Sequence, residues 1–298
     1  MPVILITGAA TGIGNLTARA LAADGHTVYA TVRDINGRNQ EPANALRTLA
    51  RQNDVNLHVI ELDVTSQDSA DSAVATILEE QGGLDVVINN AGHLYAGFVE
   101  AFTAEDIARL FDINVFGVQR VNRAALPHMR ERHHGTLLYT GSTIVITTPP
   151  FLGPYSSSKA AMDQLALTTA YEVSQLGIET VIVMPGAFTQ GTQHFPNASH
   201  ASDAEVTAAY SDLEPLVEAN EHATSSLFTN QADNDPQTVA DEVVRILRLP
   251  YGERPFRSVV DGTHSGVQDV NAVLDAKRAE FTARLGFGDL LKLKTYTS

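Results

Sequence analysis

The sequence predicts a doubly wound α/β fold, a parallel sheet of about seven strands with helices on both faces and a long insertion near its end. Three observations predict it. Short apolar runs alternate with helical stretches along most of the chain. A glycine turn, Gly8-Ala9-Ala10-Thr11-Gly12-Ile13-Gly14, lies between the first strand and the first helix. Gly8, Asp63, Asn90, Ser142 and Pro185 all fall at the carboxyl ends of predicted strands, where open parallel sheets bind ligands.

Val3 to Thr7 reads as a short buried strand. The helix after the glycine turn (Ile13, Leu16, Ala20, Leu21) stops near Asp24-Gly25. Strand, glycine turn and helix together form a cradle in which backbone N–H groups and a helix N-terminus hold a phosphate. Thr27 to Val32 is the second strand, Pro42 to Gln52 a helix, Asn56 to Leu62 a strand ending at Asp63-Val64, and Ser66 to Gln81 a helix stopped by Gly82-Gly83. Leu84 to Asn89 leads into Asn90-Ala91-Gly92. Thr103 caps one long helical stretch to Arg132, with Asp106 at the place a capping box gives to Glu or Gln. Gly135 to Gly141 is the fifth strand, Tyr155 to Leu176 a helix, and Ile178 to Met184 the sixth strand.

The rhythm then breaks. Residues 186–235 carry eight carboxylates and no Lys or Arg, and a connection of this length predicts a lid. Within it Ser202-x-x-Glu205 reads as a capping box, followed by a stripe (Val206, Tyr210, Leu213, Val217) that Pro215 interrupts. A helix from Gln237 to Leu249, a strand from Phe256 to Val260 and a helix from Val267 to Leu285 complete the pattern. Lys292 and Lys294 fall in a mobile or oligomer-contacting tail. We read residues 1–298 as a single domain, with 265–298 as a C-terminal helical extension.

Composition narrows the function. A hydrophobic fraction of 44% in 298 residues is ordinary for a globular chain with a substantial core. The net charge of −15 opposes binding to nucleic-acid backbones. The absence of cysteine excludes disulfides, thiolate metal sites and a thiol nucleophile. No run reaches the length of a membrane span, and the chain enters its first strand without a basic leader or cleavage site, which predicts a soluble, cytoplasmic protein. His128, His133 and His134 lack the carboxylates of a metal set and suit a helix C-terminus, so no metal is expected. His194, His200 and His222 are too scattered to assign. No Gly-x-Ser-x-Gly elbow surrounds Ser142, which argues against a hydrolase.

The chemistry concentrates between Ser142 and Lys159. Pro154 suits a first helical turn, and on that helix Tyr155 and Lys159 share a face. A phenol titrates near 10, and a neighbouring ammonium lowers that value, making Tyr155 an acid/base. Ser142 is placed to hold a substrate oxygen that gains negative charge. The second strand ends at Val32, where an NAD site carries an acid. Arg33 follows directly and pairs with a 2′-phosphate, which favours NADP over NAD.

These pieces, Thr7-Gly8-x-x-x-Gly12-x-Gly14, Asp63-Val64, Asn89-Asn90-Ala91-Gly92, Asn114-Val115-x-Gly117, Ser142, Tyr155-x-x-x-Lys159 and Pro185-Gly186, resemble the short-chain dehydrogenase/reductase family in type and order. The resemblance covers about residues 3 to 190. It implies a Rossmann-type fold and a catalytic set of Asn114, Ser142, Tyr155 and Lys159. Tyr155 transfers a proton, Ser142 holds the oxygen, Lys159 lowers the tyrosine pKa and binds the nicotinamide ribose, and Asn114 supports a water-linked proton path. Gly8, Gly12, Ile13 and Gly14 line the phosphates, Asp63 and Val64 the adenine, and Asn90, with Ala91 and Gly92, the ribose region. Pro185 and Gly186 also bind the cofactor. Two positions depart from the family. Thr11 stands where a second basic residue is frequent, and Gln190 where a Thr contacts the carboxamide; Thr189 is the nearest replacement. Family members commonly form homodimers or homotetramers.

The resulting expectation is an NADP(H)-dependent oxidoreductase interconverting a ketone or aldehyde and an alcohol. Its acidic lid disfavours anions, so a neutral, partly apolar small molecule touched by Tyr95, Phe98, Ile144, Phe151 and Phe188 is expected. The alternatives are a lyase or epimerase using the same tyrosine, and a non-catalytic NADP-sensing protein. Loss of the tyrosine or lysine would mark the latter, and both are present.

Overall fold

Seven parallel strands lie in the order β3-β2-β1-β4-β5-β6-β7 in the computed structural model, which describes residues 1–296. They are β1 (Val3–Ile6), β2 (Thr27–Val32), β3 (Leu57–Glu61), β4 (Val86–Asn89), β5 (Gly135–Thr140), β6 (Ile178–Pro185) and β7 (Arg257–Val260). The order reverses at β1, between β2 and β4, and that reversal opens a crevice at the strands' carboxyl ends. Two apolar layers form the core. Ile4, Ile6, Val28 and Ala30 face one set of helices, and Leu5, Tyr29, Val87 and Leu137 face the other. This is the alternation of strands buried on both sides.

Helices α1 (Gly12–Ala23), α2 (Gln40–Asn53) and α3 (Gln67–Gln81) follow the first three strands. The stretch predicted as one helix from Thr103 is α4 (Ala104–Phe111) and α5 (Gly117–Arg132), joined by a π turn at Asp112–Phe116. The extra residue in that turn swings Asn114 towards the loop after β4, where its side chain finds its partners. Such turns are frequent at functional sites. The Thr103–Asp106 capping box is formed in full. A short helix α6 (Ile144–Thr147) precedes α7 (Gly153–Ser174), which starts with Pro154 in its first turn.

The segment after β6 folds as α8 (Ala204–Ala209), α9 (Glu214–Glu218) and α10 (Asn220–Ser225), with Pro215 in the first turn of α9. Its helical cap is Asp203, which accepts from the Val206 N–H at 2.9 Å, and not Ser202 as the spacing predicts. Ser202 is committed elsewhere, because both its N–H and its hydroxyl donate to Asp106, at 3.2 and 2.6 Å. Ser199 adds a β-bridge to Tyr95. Helices α11 (Gln237–Arg248) and α12 (Val267–Arg284) complete the fold. The residues after α12, predicted as a mobile or oligomer-contacting tail, are tied to the end of α7. Gln175 donates to the carbonyls of Asp289 and Lys292, and the Tyr296 hydroxyl donates to the Gln175 carbonyl at 2.7 Å.

Among the described residues, no helix is long and apolar enough to cross a membrane, and no group of three or more His, Cys, Asp or Glu could hold a metal ion.

Candidate active site

A cleft of about 340 Å³ opens at the carboxyl ends of β1 to β6. Its first wall is the glycine turn. Gly8 has φ +68°, and a Cβ there would lie 2.9 Å from the Ala91 Cα. A Cβ on Gly14 would lie 2.5 Å from the Gly8 carbonyl oxygen and inside contact of the Asn90 carboxamide. The Asn90 carboxamide donates to the carbonyls of Thr7 and Gly8, at 2.9 and 3.2 Å, while Thr7 Oγ1 accepts from the N–H groups of Asn90 and Ala91. These bonds lock the ends of β1 and β4 together and leave a bare backbone cradle at the start of α1. The cradle fits a dinucleotide pyrophosphate.

Val32 and Arg33 follow around the cleft, with Asp63 and Val64 beside them. Arg33 is exposed. The carboxylate of its neighbour Asp34 takes the Arg38 N–H at 3.0 Å, and no ion pair between Arg33 and Asp34 forms among the described residues. The Asp63 carboxylate accepts from the Thr65 N–H and hydroxyl, at 2.9 and 2.7 Å, which fixes the turn after β3.

The floor carries the tyrosine and lysine. Tyr155 and Lys159 lie on the buried face of α7, and both line the cleft with Ser142. Lys159 Nζ donates to the Thr140 carbonyl at 2.9 Å and sits 6.0 Å from the centroid of the Tyr155 ring. Burial, unrelieved by any carboxylate, pulls the ammonium down to about 8. Burial also pushes the Tyr155 hydroxyl above its ordinary value, and a hydrogen bond with Ser142 draws it partly back. The spacing of the two residues predicts a phenol made acidic by its lysine. In this structure burial, opposed only by the Ser142 hydrogen bond, sets the direction of the phenol's shift.

Asn114 stands behind the floor and is buried. Its Oδ1 accepts from the His93 N–H at 2.8 Å, and its Nδ2 donates to the His93 carbonyl at 3.0 Å and to Ser158 Oγ at 2.9 Å. Ser158 in turn donates to the Tyr155 carbonyl at 2.8 Å. The π turn is thereby coupled both to the loop after β4 and to the first turns of α7.

Thr11, Gly12, Ile13, Gly92, Pro185, Gly186 and Phe188 also line the cleft. Thr189 does not. Its hydroxyl accepts from the Asn234 carboxamide at 2.8 Å and its N–H donates to the same side chain at 3.0 Å, which turns it away from the cleft. Thr192 lines the cleft instead, and its buried Oγ1 has no hydrogen-bond partner. Of the side chains expected against substrate, only Phe188 is in the lining. Tyr95 and Ile144 pack behind Tyr155 with Leu94, Phe102, Leu110 and Leu152. Phe98 is sandwiched by Phe151 and Tyr210.

Spacing alone does not single out His93, Gln193, His194 and Asn197, which line the cleft. His194 packs edge-on to Tyr155 with ring centroids 5.3 Å apart. His93 holds Ser199 Oγ at 2.7 Å. Three of the four lie after the predicted sixth strand, ahead of the Ser202-x-x-Glu205 signal, where no strand or helix pattern places them.

Residues 2–202 match the sequence profile of the family described as short chain dehydrogenase. The chain belongs to this family. Short-chain dehydrogenases are oxidoreductases acting on CH–OH and C=O groups, and this chain is one of them. It is 34% identical over 214 residues to the 3-ketodihydrosphingosine reductase of Bacteroides thetaiotaomicron, covering 72% of this chain and 74% of that protein. It is 32% identical over 254 residues to the human 17-beta-hydroxysteroid dehydrogenase type 1, covering 83% and 74%. Among solved structures it is similar to a short-chain dehydrogenase from Streptomyces avermitilis, with a TM-score of 0.72 and 31% identity over 95% of this chain and 96% of the other. An alcohol dehydrogenase from Thermococcus sibiricus, solved in complex with 5-hydroxy-NADP, has a TM-score of 0.68 and 26% identity over 87% and 95%.

Proposed function

We propose that this short-chain dehydrogenase uses NADP(H) to interconvert a ketone or aldehyde and an alcohol on a neutral substrate, with Tyr155 as the acid/base. One observation carries the reading: Ser142, Tyr155 and Lys159 share one cleft with the glycine cradle, and Asn114 braces the helix that bears the tyrosine. When bound, the nicotinamide supplies a hydride to the carbonyl carbon, or accepts one from the alcohol carbon. The chain's own residues manage the oxygen. Ser142 donates a hydrogen bond to it as negative charge develops. Tyr155 gives up its hydroxyl proton to that oxygen, and the proton is replaced from the Lys159 ammonium side of the cleft. A protonated phenol is the state that delivers a proton in the reducing direction.

Arg33 supports the choice of NADP. It follows Val32 at the end of β2, is exposed and lines the cleft, where its guanidinium can pair with a 2′-phosphate. The Thr192 hydroxyl, opposite Gly12, is a hydrogen-bonding group for the cofactor's phosphate half. Residues 186–235 act as the lid. Ser199 exchanges backbone hydrogen bonds with Leu94 and Ala96, at 2.9 and 3.0 Å, and Ser202 clasps Asp106, so this lid is docked along one edge of the cleft. The testing experiment is NADPH against NADH binding, followed by absorbance at a carbonyl panel with the tighter cofactor. Cofactor oxidation that requires an added carbonyl supports the reading. Tighter binding of NADH would remove its NADP part, and substrate conversion without net cofactor oxidation would favour the epimerase or lyase.

A further inference from the structure

Four polar side chains without formal charge line the cleft: His93 from the turn after β4, and Gln193, His194 and Asn197 from the lid, with His194 packed against Tyr155. Burial, with the nearby positive charge of Lys159 and then His93, holds His194 at about 4, so its imidazole is neutral at physiological pH. Burial and then Arg33 likewise hold His93 below its usual value. The two histidines differ in one respect. His93 is engaged by Ser199, whereas neither ring nitrogen of His194 meets a hydrogen-bond partner among the described residues. A neutral imidazole offers one donor and one acceptor, and a carboxamide offers both. This set matches a hydroxyl, which also donates and accepts. It suits an ammonium poorly, since Lys159 already makes the field at His194 positive, and it presents no guanidinium or ammonium of its own to pair with a carboxylate.

Resting on the carbonyl–alcohol reading above, we propose that His194 is a specificity-determining residue, receiving with Gln193 and Asn197 a hydroxyl on the carbon next to the reacting carbonyl. The preferred substrate class is then an α-hydroxy ketone rather than a plain hydrocarbon ketone. The geometry keeps the two oxygens close. With the His194 and Tyr155 ring centroids 5.3 Å apart, a hydroxyl held by the imidazole lies near the oxygen held by the phenol, and the α-hydroxy ketone is the shortest substrate that supplies both. A site that bonds a hydroxyl disfavours the analogue lacking it, because the half-buried His194 ring is then left without its partner, while the exposed Gln193 and Asn197 return to water.

The test compares a hydroxymethyl ketone with the ethyl ketone of the same chain, in which a methyl group replaces the hydroxyl. For the wild type, kcat/KM is expected to favour the hydroxymethyl ketone by about tenfold to a hundredfold. His194→Phe keeps an aromatic ring against Tyr155 and is expected to narrow that ratio towards unity, chiefly by raising KM for the hydroxymethyl ketone. His194→Gln, which restores a donor and an acceptor, is expected to recover part of the preference. NADPH binding by each variant reports that the cleft is folded. A wild-type ratio at or below unity overturns the proposal, and so does a ratio that His194→Phe leaves unchanged. If NADPH binds but neither ketone is reduced while other carbonyls are, this inference alone falls. If no carbonyl of any class is reduced, the reading beneath it falls too.

Discussion

Gly14→Ala is the perturbation for which the structure sets the most definite balance of terms. On propensity alone, Ala in place of Gly in a helix stabilises by about 1 kcal/mol. Gly14 lies in the first turn of α1, however, where a methyl group would press into the Asn90 carboxamide and lie 2.5 Å from the Gly8 carbonyl oxygen. Neither neighbour can retreat, because Asn90 is tied to Thr7 and Gly8, and Gly8 is backed by Ala91. Expelling the Asn90 side chain forfeits two hydrogen bonds at about 1 kcal/mol each, and the residual crowding costs about 1–3 kcal/mol. The losses exceed the propensity gain, leaving a net destabilisation of about 2–4 kcal/mol. The cradle that opens on the cofactor phosphates moves with it, so NADPH affinity falls as well. Urea unfolding of the wild type, Gly14→Ala, Asn90→Ala and the double variant measures the coupling, which is expected to exceed about 1 kcal/mol because the two side chains compete for one space. A Gly14→Ala protein more stable than the wild type, with unchanged NADPH affinity, would refute the reasoning.

Three further outcomes are expected. Arg33→Ala weakens NADPH by about tenfold to a hundredfold, the loss of a charge-assisted contact, and leaves NADH unchanged in calorimetric titration; equal weakening of both cofactors contradicts the assignment. Arg257→Met leaves Asp163 of α7 as a buried unpaired carboxylate, since the pair is bidentate at 2.6 and 2.9 Å and nearly excluded from water, and should cost about 3–5 kcal/mol in urea unfolding. The pH profile of kcat for carbonyl reduction should be level below about 8 and fall above it, because Lys159 holds its proton below that value and loses it above; a profile that rises through this range contradicts the proton-replenishing role of Lys159.

Much of the sheet was legible because each buried strand is a short apolar run followed by a turn signal. The residues that meet at the strand ends, from Gly8 to Pro185, were legible for the same reason. Features that depend on where distant segments dock were not. The π turn at Asp112–Phe116 inserts one residue into an otherwise helical pattern, and only its partners in the His93 loop and Ser158 give it away. Ser202 carries the spacing of a cap, but Asp106, 96 residues earlier, claims it. Thr189 is the nearer to the expected position by spacing, but Asn234 engages it and Thr192 lines the cleft instead. The aromatic residues expected against substrate show the same limit. Tyr95 and Phe98 are apolar enough for a binding wall, and packing spends them on joining the lid to the body. Sharing a helix face with Lys159 says little about the acidity of Tyr155, which burial of both groups decides.

The account stands on proton delivery by Tyr155 in a cleft that binds NADP(H), and Tyr155→Phe isolates that hydroxyl. Stopped-flow oxidation of NADPH with a reducible ketone is expected to slow about thousandfold in the variant, with cofactor binding retained. Reduction at the wild-type rate by the phenylalanine variant would contradict the account.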